Sequence, residues 1–137
     1  MSLPNTDQIL EDLDFFDSWE ERYKYIIDLG KTLPTFPEEL HTPERLVKGC
    51  QSNVWLEVNK EGDKLSFLVD SDAIIVKGLL VLVLAAYDKK TAQEIIDFDI
   101  DDYFAQLDLE RHISPTRGNG LKAIVGKIQA IASACLR

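Results

Sequence analysis

The sequence predicts an α+β fold, a small antiparallel sheet packed against several helices in one domain spanning 1–137. Three observations predict it. Val54, Leu56 and Val58 alternate with Trp55 and Glu57, and Leu65, Phe67 and Val69 alternate again beyond the KEGD turn at 60–63. That period is the one of an antiparallel hairpin with one buried face. AIIVKGLLVLVLAAY, 73–87, is apolar nearly all round, as a helix in the middle of a core is. Leu121, Ile124, Val125, Ile128, Ile131, Ala132 and Cys135 recur at helical spacing in the last segment.

Taken in order, the chain opens at Asn5 with a short helix carrying Ile9, Leu10, Leu13 and Phe16. SWEE, 18–21, is a capping-box signature and starts a helix with Tyr23, Ile26 and Ile27 on one face, ending near Gly30. Pro34, Pro37 and Pro43 break regular structure, so 31–44 is expected as a loop with at most one helical turn. The hairpin follows Cys50. Two strands do not complete a sheet, and a third is expected from the region before Cys50. DSDA, 70–73, is expected to start the buried helix, where acidic residues suit an N-terminus. TAQE, 91–94, is a second capping box, and DIDDYFAQLDL, 99–109, reads as a further helix. SPTRGNG, 114–120, is expected as a loop ahead of the final helix.

The 137 residues are 45% hydrophobic and 28% charged, enough to build a real core. The net charge of −9 argues against nucleic acid and against an anionic membrane surface, since both require clustered cations. The most apolar stretch is interrupted by Lys77 and Gly78 and is shorter than the roughly 20 residues of a bilayer span. MSLPNTDQILEDL carries neither a basic start nor a long apolar run, so no secretory signal is expected. A reducing cytoplasm with two free thiols, Cys50 and Cys135, is therefore expected. Two cysteines and two histidines, His41 and His112, show no zinc or iron–sulfur spacing, so no metal site is expected.

Cys135 lies on the apolar stripe of the last helix and is expected to fill core. Cys50 differs. Gly49 precedes it and Gln51, Ser52 and Asn53 follow, which places the thiol on a turn at the entry to a strand. A free thiol titrates near 8.5, so about a few per cent is thiolate at neutral pH unless a cation helps. Arg45 and Lys48 are the local candidates, and Arg117 is a third if 114–120 folds back onto the loop. Nothing in the sequence places His41 or His112 beside Cys50 as the base of a Cys–His hydrolase, and each is expected to be a lone surface histidine. The acidic runs are expected to be solvated faces.

GCQSNVW at 49–55, DSDAIIVKGLL at 70–80 and HISPTRGNGL at 112–121 together resemble the SufE family of cysteine desulfuration proteins. The likeness runs from the WEERYKYIIDLGKTLP segment, 19–34, to SPTRGNGLKAI, 114–124, with the blocks in the same order. It implies a fold shared with the IscU scaffold and a persulfide-carrying role for Cys50. It implies a SufS-type, PLP-dependent cysteine desulfurase as sulfur donor and a SufBCD-type assembly complex as recipient. The chain would then be a sulfurtransferase-like acceptor that activates the desulfurase and needs no cofactor of its own. A homodimer stays open. Gly49 would permit close backbone approach, with Gln51 and Ser52 as loop neighbours. Asp70, Asp72, His112 and Arg117 match family blocks and are expected near the loop. Gln51-Ser52 looks more like SufE than like a CsdE-type acceptor serving another desulfurase. A non-catalytic regulator of a desulfurase is the further alternative. An IscU-like cluster scaffold needs several converging thiolates, and Cys50 alone matches.

Overall fold

The computed structural model describes residues 3–136. In chain order it runs α1 (Thr6–Phe15), α2 (Trp19–Gly30), two 3-10 turns (Glu38–Leu40 and Pro43–Arg45), β1 (Val54–Glu61), β2 (Lys64–Ser71), α3 (Ile74–Tyr87), β3 (Lys90–Thr91), α4 (Ala92–Asp97), α5 (Ile100–Leu107), a 3-10 turn (Leu109–Arg111) and α6 (Pro115–Cys135). The sheet is antiparallel with order β1-β2-β3, and the architecture is α+β.

Local chemistry starts the helices. Asn5 accepts the Gln8 N–H at 2.9 Å while the Gln8 side chain accepts the Asn5 N–H at 3.1 Å, a reciprocal box opening α1. Ser18 accepts the Glu21 N–H, but the Glu21 carboxylate meets the Ser18 hydroxyl instead of its backbone, so α2 has half of the expected box. Thr91 and Glu94 complete theirs at α4. The hairpin register pairs Val54 with Ser71 and Glu61 with Lys64. Its two-residue turn needs the left-handed backbone at Gly62, φ +64°. Leu65, Phe67 and Val69 are buried and alternate with half-buried residues, as the period-2 pattern requires.

α3 is the centre of the core. Val81, Leu82 and Val83 are fully buried, with Leu79, Leu80 and Tyr87 beside them. Each such side chain contributes about 1.5–3 kcal/mol by leaving water. α2 lies so close to α3 that a Cβ at Gly78 would stand 2.1 Å from the Ile26 carbonyl oxygen, and one at Gly30 2.7 Å from the Gly78 nitrogen. Glycine at both positions is what lets the two backbones touch.

Four expectations are corrected. The third strand is Lys90–Thr91, after α3, pairing with Lys64 and Leu65. The segment before Cys50 contributes a single bridge, Leu46 with Trp55, plus the Val47 N–H to Val54 O bond. DSDA does not begin α3: Asp70 and Ser71 finish β2, and the helix starts at Ile74 with no acidic residue in its first turn. Both carboxylates are engaged elsewhere. SPTRGNG is not a loop. Ser114 accepts the Arg117 N–H and Pro115 occupies the first helical position, so α6 already runs through both glycines. Cys135 is exposed, because the buried stripe of α6 ends at Ala132 and the last turn projects past the core.

Candidate functional site

The Leu46–Trp55 bridge and the Val47–Val54 bond pinch the chain into a hairpin whose tip is Lys48–Asn53. Gly49 adopts φ +95°, a conformation that side-chain-bearing residues rarely take, and this turns Cys50 toward α6. Cys50 Sγ lies 3.5 Å from the Gly120 carbonyl oxygen, to which the thiol donates. Gly120 meets the cysteine closely, and Gly49 rests on Ala123: a Cβ at Gly49 would be 3.1 Å from the Ala123 Cβ. The loop thus lies flat on the small residues of one α6 face.

A cavity of about 230 Å³ opens beside the sulfur. Its buried side is apolar, formed by Val54, Val76, Leu79, Leu121 and Ile124. Gln51, Ser52 and Arg117 line its solvent side. Burial pushes the Cys50 thiol up from its ordinary pKa, and donation to a carbonyl favours the same protonated form. At rest the group is a sheltered thiol and not a standing nucleophile. Thiolate character would require a more polar or cationic setting than this one.

Of the three candidate cations, Arg117 lines this cavity. Arg45 is bound to Glu57 at 2.8 Å and to Thr42 at 3.0 Å, and Lys48 is exposed at the loop tip. Asp72 holds the exit of the loop: its Oδ1 accepts the Asn53 N–H at 3.1 Å, and its own N–H reaches Asn53 O at 3.3 Å. Asp70 is outside the cavity and receives His41 Nε2 at 2.7 Å and Lys77 at 3.5 Å. His112 does not line the cavity either. It stacks on Trp19 with ring centroids 3.8 Å apart and lies 3.5 Å from Asp108. The partner that the Cys50 thiol meets carries no sequence signal of its own: Gly120 stands in a stretch that the sequence reads as a loop. Outside the cavity, the His41–Asp70 contact joins residues 29 positions apart.

Among the described residues no group of three or more His, Cys, Asp or Glu side chains converges to hold a metal ion. No described helix is long and apolar enough to cross a membrane.

The SufE family model, whose description is an Fe–S metabolism associated domain, matches residues 7–132. An uncharacterized SufE-like protein of Rhizobium etli is 45% identical over 93% of this chain and 88% of its own length. Another from Rhizobium meliloti is 43% identical over 95% and 96%. The solution structure of a hypothetical protein from Thermus thermophilus superposes with a TM-score of 0.77, covering 99% of this chain and 98% of that one at 22% identity, a likeness of fold. A thiol-bearing loop on an α+β scaffold, a family match over nearly the whole chain and relatives above 40% identity lead to one conclusion: the chain belongs to the SufE family, a family associated with Fe–S metabolism.

Proposed function

We propose that the protein is a sulfur acceptor and carrier that takes persulfide sulfur from a SufS-type cysteine desulfurase onto Cys50 and passes it to a SufBCD-type assembly complex in the cytoplasm. The observation that supports this most directly is the placement of Cys50, half-buried at the tip of a six-residue loop and resting on small residues of α6. A loop tip can enter another protein's site, which a thiol on a packed helix cannot. The apolar side of the cavity can shelter a persulfide between partners.

In the transfer, the Cys50 thiol leaves Gly120 and loses its proton within the complex. The thiolate attacks the outer sulfur of the desulfurase persulfide. A Cys50 S–S bond forms, the desulfurase S–S bond breaks, and the desulfurase thiolate leaves and takes up a proton. No net oxidation occurs. Sulfur extraction from cysteine belongs to the desulfurase and its PLP.

The test is intact mass after incubation with a SufS-type desulfurase and cysteine. Wild type gains one sulfur atom that a reductant removes, and Cys50→Ser gains none. Desulfurase turnover in reductant is measured alongside. A carrier relieves the donor by removing its persulfide, so stimulation disappears with the thiol. Stimulation by Cys50→Ser equal to wild type would replace the carrier reading with that of a conformational regulator.

A further inference from the structure

His41 is not the isolated surface group its sequence context predicts. Its ring packs between Phe36, with centroids 5.0 Å apart, and Trp55, edge-on at 4.5 Å. Its Nε2 lies 2.7 Å from Asp70 Oδ2. Burial alone would raise the Asp70 carboxyl, but the His41 hydrogen bond, the Ser71 backbone and Lys77 together hold it below the ordinary value. Asp70 is therefore ionised at neutral pH and can only accept, which puts the shared proton on His41 Nε2.

The position of this contact gives it a consequence. Asp70 is the cross-strand partner of Trp55, and Trp55 on its other edge bridges Leu46. His41 therefore ties the proline-rich segment across β1 onto β2, immediately ahead of the chain that enters the Cys50 loop. The loop exit is held separately by the paired Asp72–Asn53 bonds. The two carboxylates of DSDA hold the two sides of one loop, Asp72 directly and Asp70 through His41. Other ties on the entry side include the Leu46 bridge, the Val47–Val54 bond, the buried Val47 side chain and the Arg45–Glu57 ion pair.

We propose that His41 is a positioning residue for the thiol: its hydrogen bond to Asp70 anchors the entry side of the Cys50 loop and thereby sets how often Cys50 leaves the Gly120 carbonyl. The consequence for sulfur transfer rests on the acceptor reading, whereas the anchoring itself does not.

The experiment uses the full chain with Cys135→Ser, so that Cys50 is its one thiol, and measures carbamidomethylation by iodoacetamide at one fixed pH without desulfurase. Loss of a partly exposed, charge-assisted hydrogen bond should speed His41→Ala roughly three- to tenfold. His41→Gln keeps an N–H donor and should stay within about twofold of the unsubstituted background. Asp70→Ala, which removes the acceptor, should accelerate alkylation as well. The His41→Ala/Asp70→Ala double variant should be no faster than the faster single, because both remove the same contact. With desulfurase added, the half-saturating concentration should shift while the plateau rate stays. Alkylation of His41→Ala at the background rate overturns the proposal. So does equal acceleration in His41→Gln, or multiplication of the two single effects. Should His41→Ala fail to fold, Asp70→Ala decides, and an unchanged rate there overturns it too. If the loop rates shift as expected but sulfur never reaches Cys50, the anchoring stands and the acceptor reading fails.

Discussion

Gly49→Ala isolates what the loop geometry requires. At φ +95° a non-glycine residue costs on the order of 1–3 kcal/mol. The new methyl would also stand 3.1 Å from the Ala123 Cβ, several tenths of an ångström inside the usual 3.5–4.0 Å carbon–carbon separation. Both costs fall on the seated loop and vanish when it releases. Taking about 2 kcal/mol for the backbone alone, the seated-to-released ratio drops roughly thirtyfold, since 1.4 kcal/mol is a factor of ten. While the loop is mostly seated, the Cys50 alkylation rate follows the released population and rises by the same factor. The assay is iodoacetamide trapping in the Cys135→Ser background, read by intact mass, with thermal unfolding measured alongside. The melting temperature should fall little, because the loop opens as a local unit. Adding Ala123→Gly removes the methyl contact but not the backbone cost, so it should recover only the smaller share. Wild-type alkylation and wild-type melting in Gly49→Ala would refute the claim that a strained backbone at this position seats the thiol.

Gly78→Ala should cost about 3 kcal/mol or more, and roughly 10 °C in melting temperature, because its methyl has nowhere to go against the Ile26 carbonyl; a loss under 0.5 kcal/mol would contradict the close α2–α3 crossing. Cys135→Ser should change stability by less than about 0.5 kcal/mol and leave sulfur acceptance intact, as expected of an exposed residue; denaturant titration and the mass assay check it. The seated Cys50 thiol has a raised pKa, so its folded state holds its proton longer than the unfolded chain. That stabilisation is present below the ordinary thiol pKa and is lost as pH rises through the folded value. Hydrogen exchange of the 47–54 segment should therefore show loop release on alkalinisation in wild type and not in Cys50→Ser. Asp70 has the opposite sign: its lowered pKa adds stability above the ordinary carboxyl value that is lost as pH falls through the folded one. Asp70→Asn should remove this acid-side loss from the stability–pH curve.

What the sequence by itself determined is what short-range chemistry encodes. Period-2 alternation marks 54–69 as a hairpin with one face to bury, and TAQE starts a helix because its donor and acceptor lie three residues apart. Polar turn residues around Cys50 were sufficient to put the thiol on a loop. Three motif blocks in chain order carry the resemblance to the SufE family without any contact. SPTRGNG reads as a loop because of its glycines, yet Ser114 caps α6 and the 21-residue helix tolerates both glycines. Helical spacing placed Cys135 on the apolar stripe, but spacing carries no information about where the core ends.

Only the tertiary structure decided what Cys50 meets. The thiol contacts a carbonyl 70 positions away, His41 contacts an aspartate 29 positions away, and the third strand forms beyond the buried helix. These pairings depend on how α3 and α6 pack over the sheet. That packing is a sum of many weak burials spread over the chain, and no local pattern near position 50 contains it. The protonated resting state of the thiol follows from that placement, because burial against Gly120 is a property of the assembled fold and not of the residues beside Cys50.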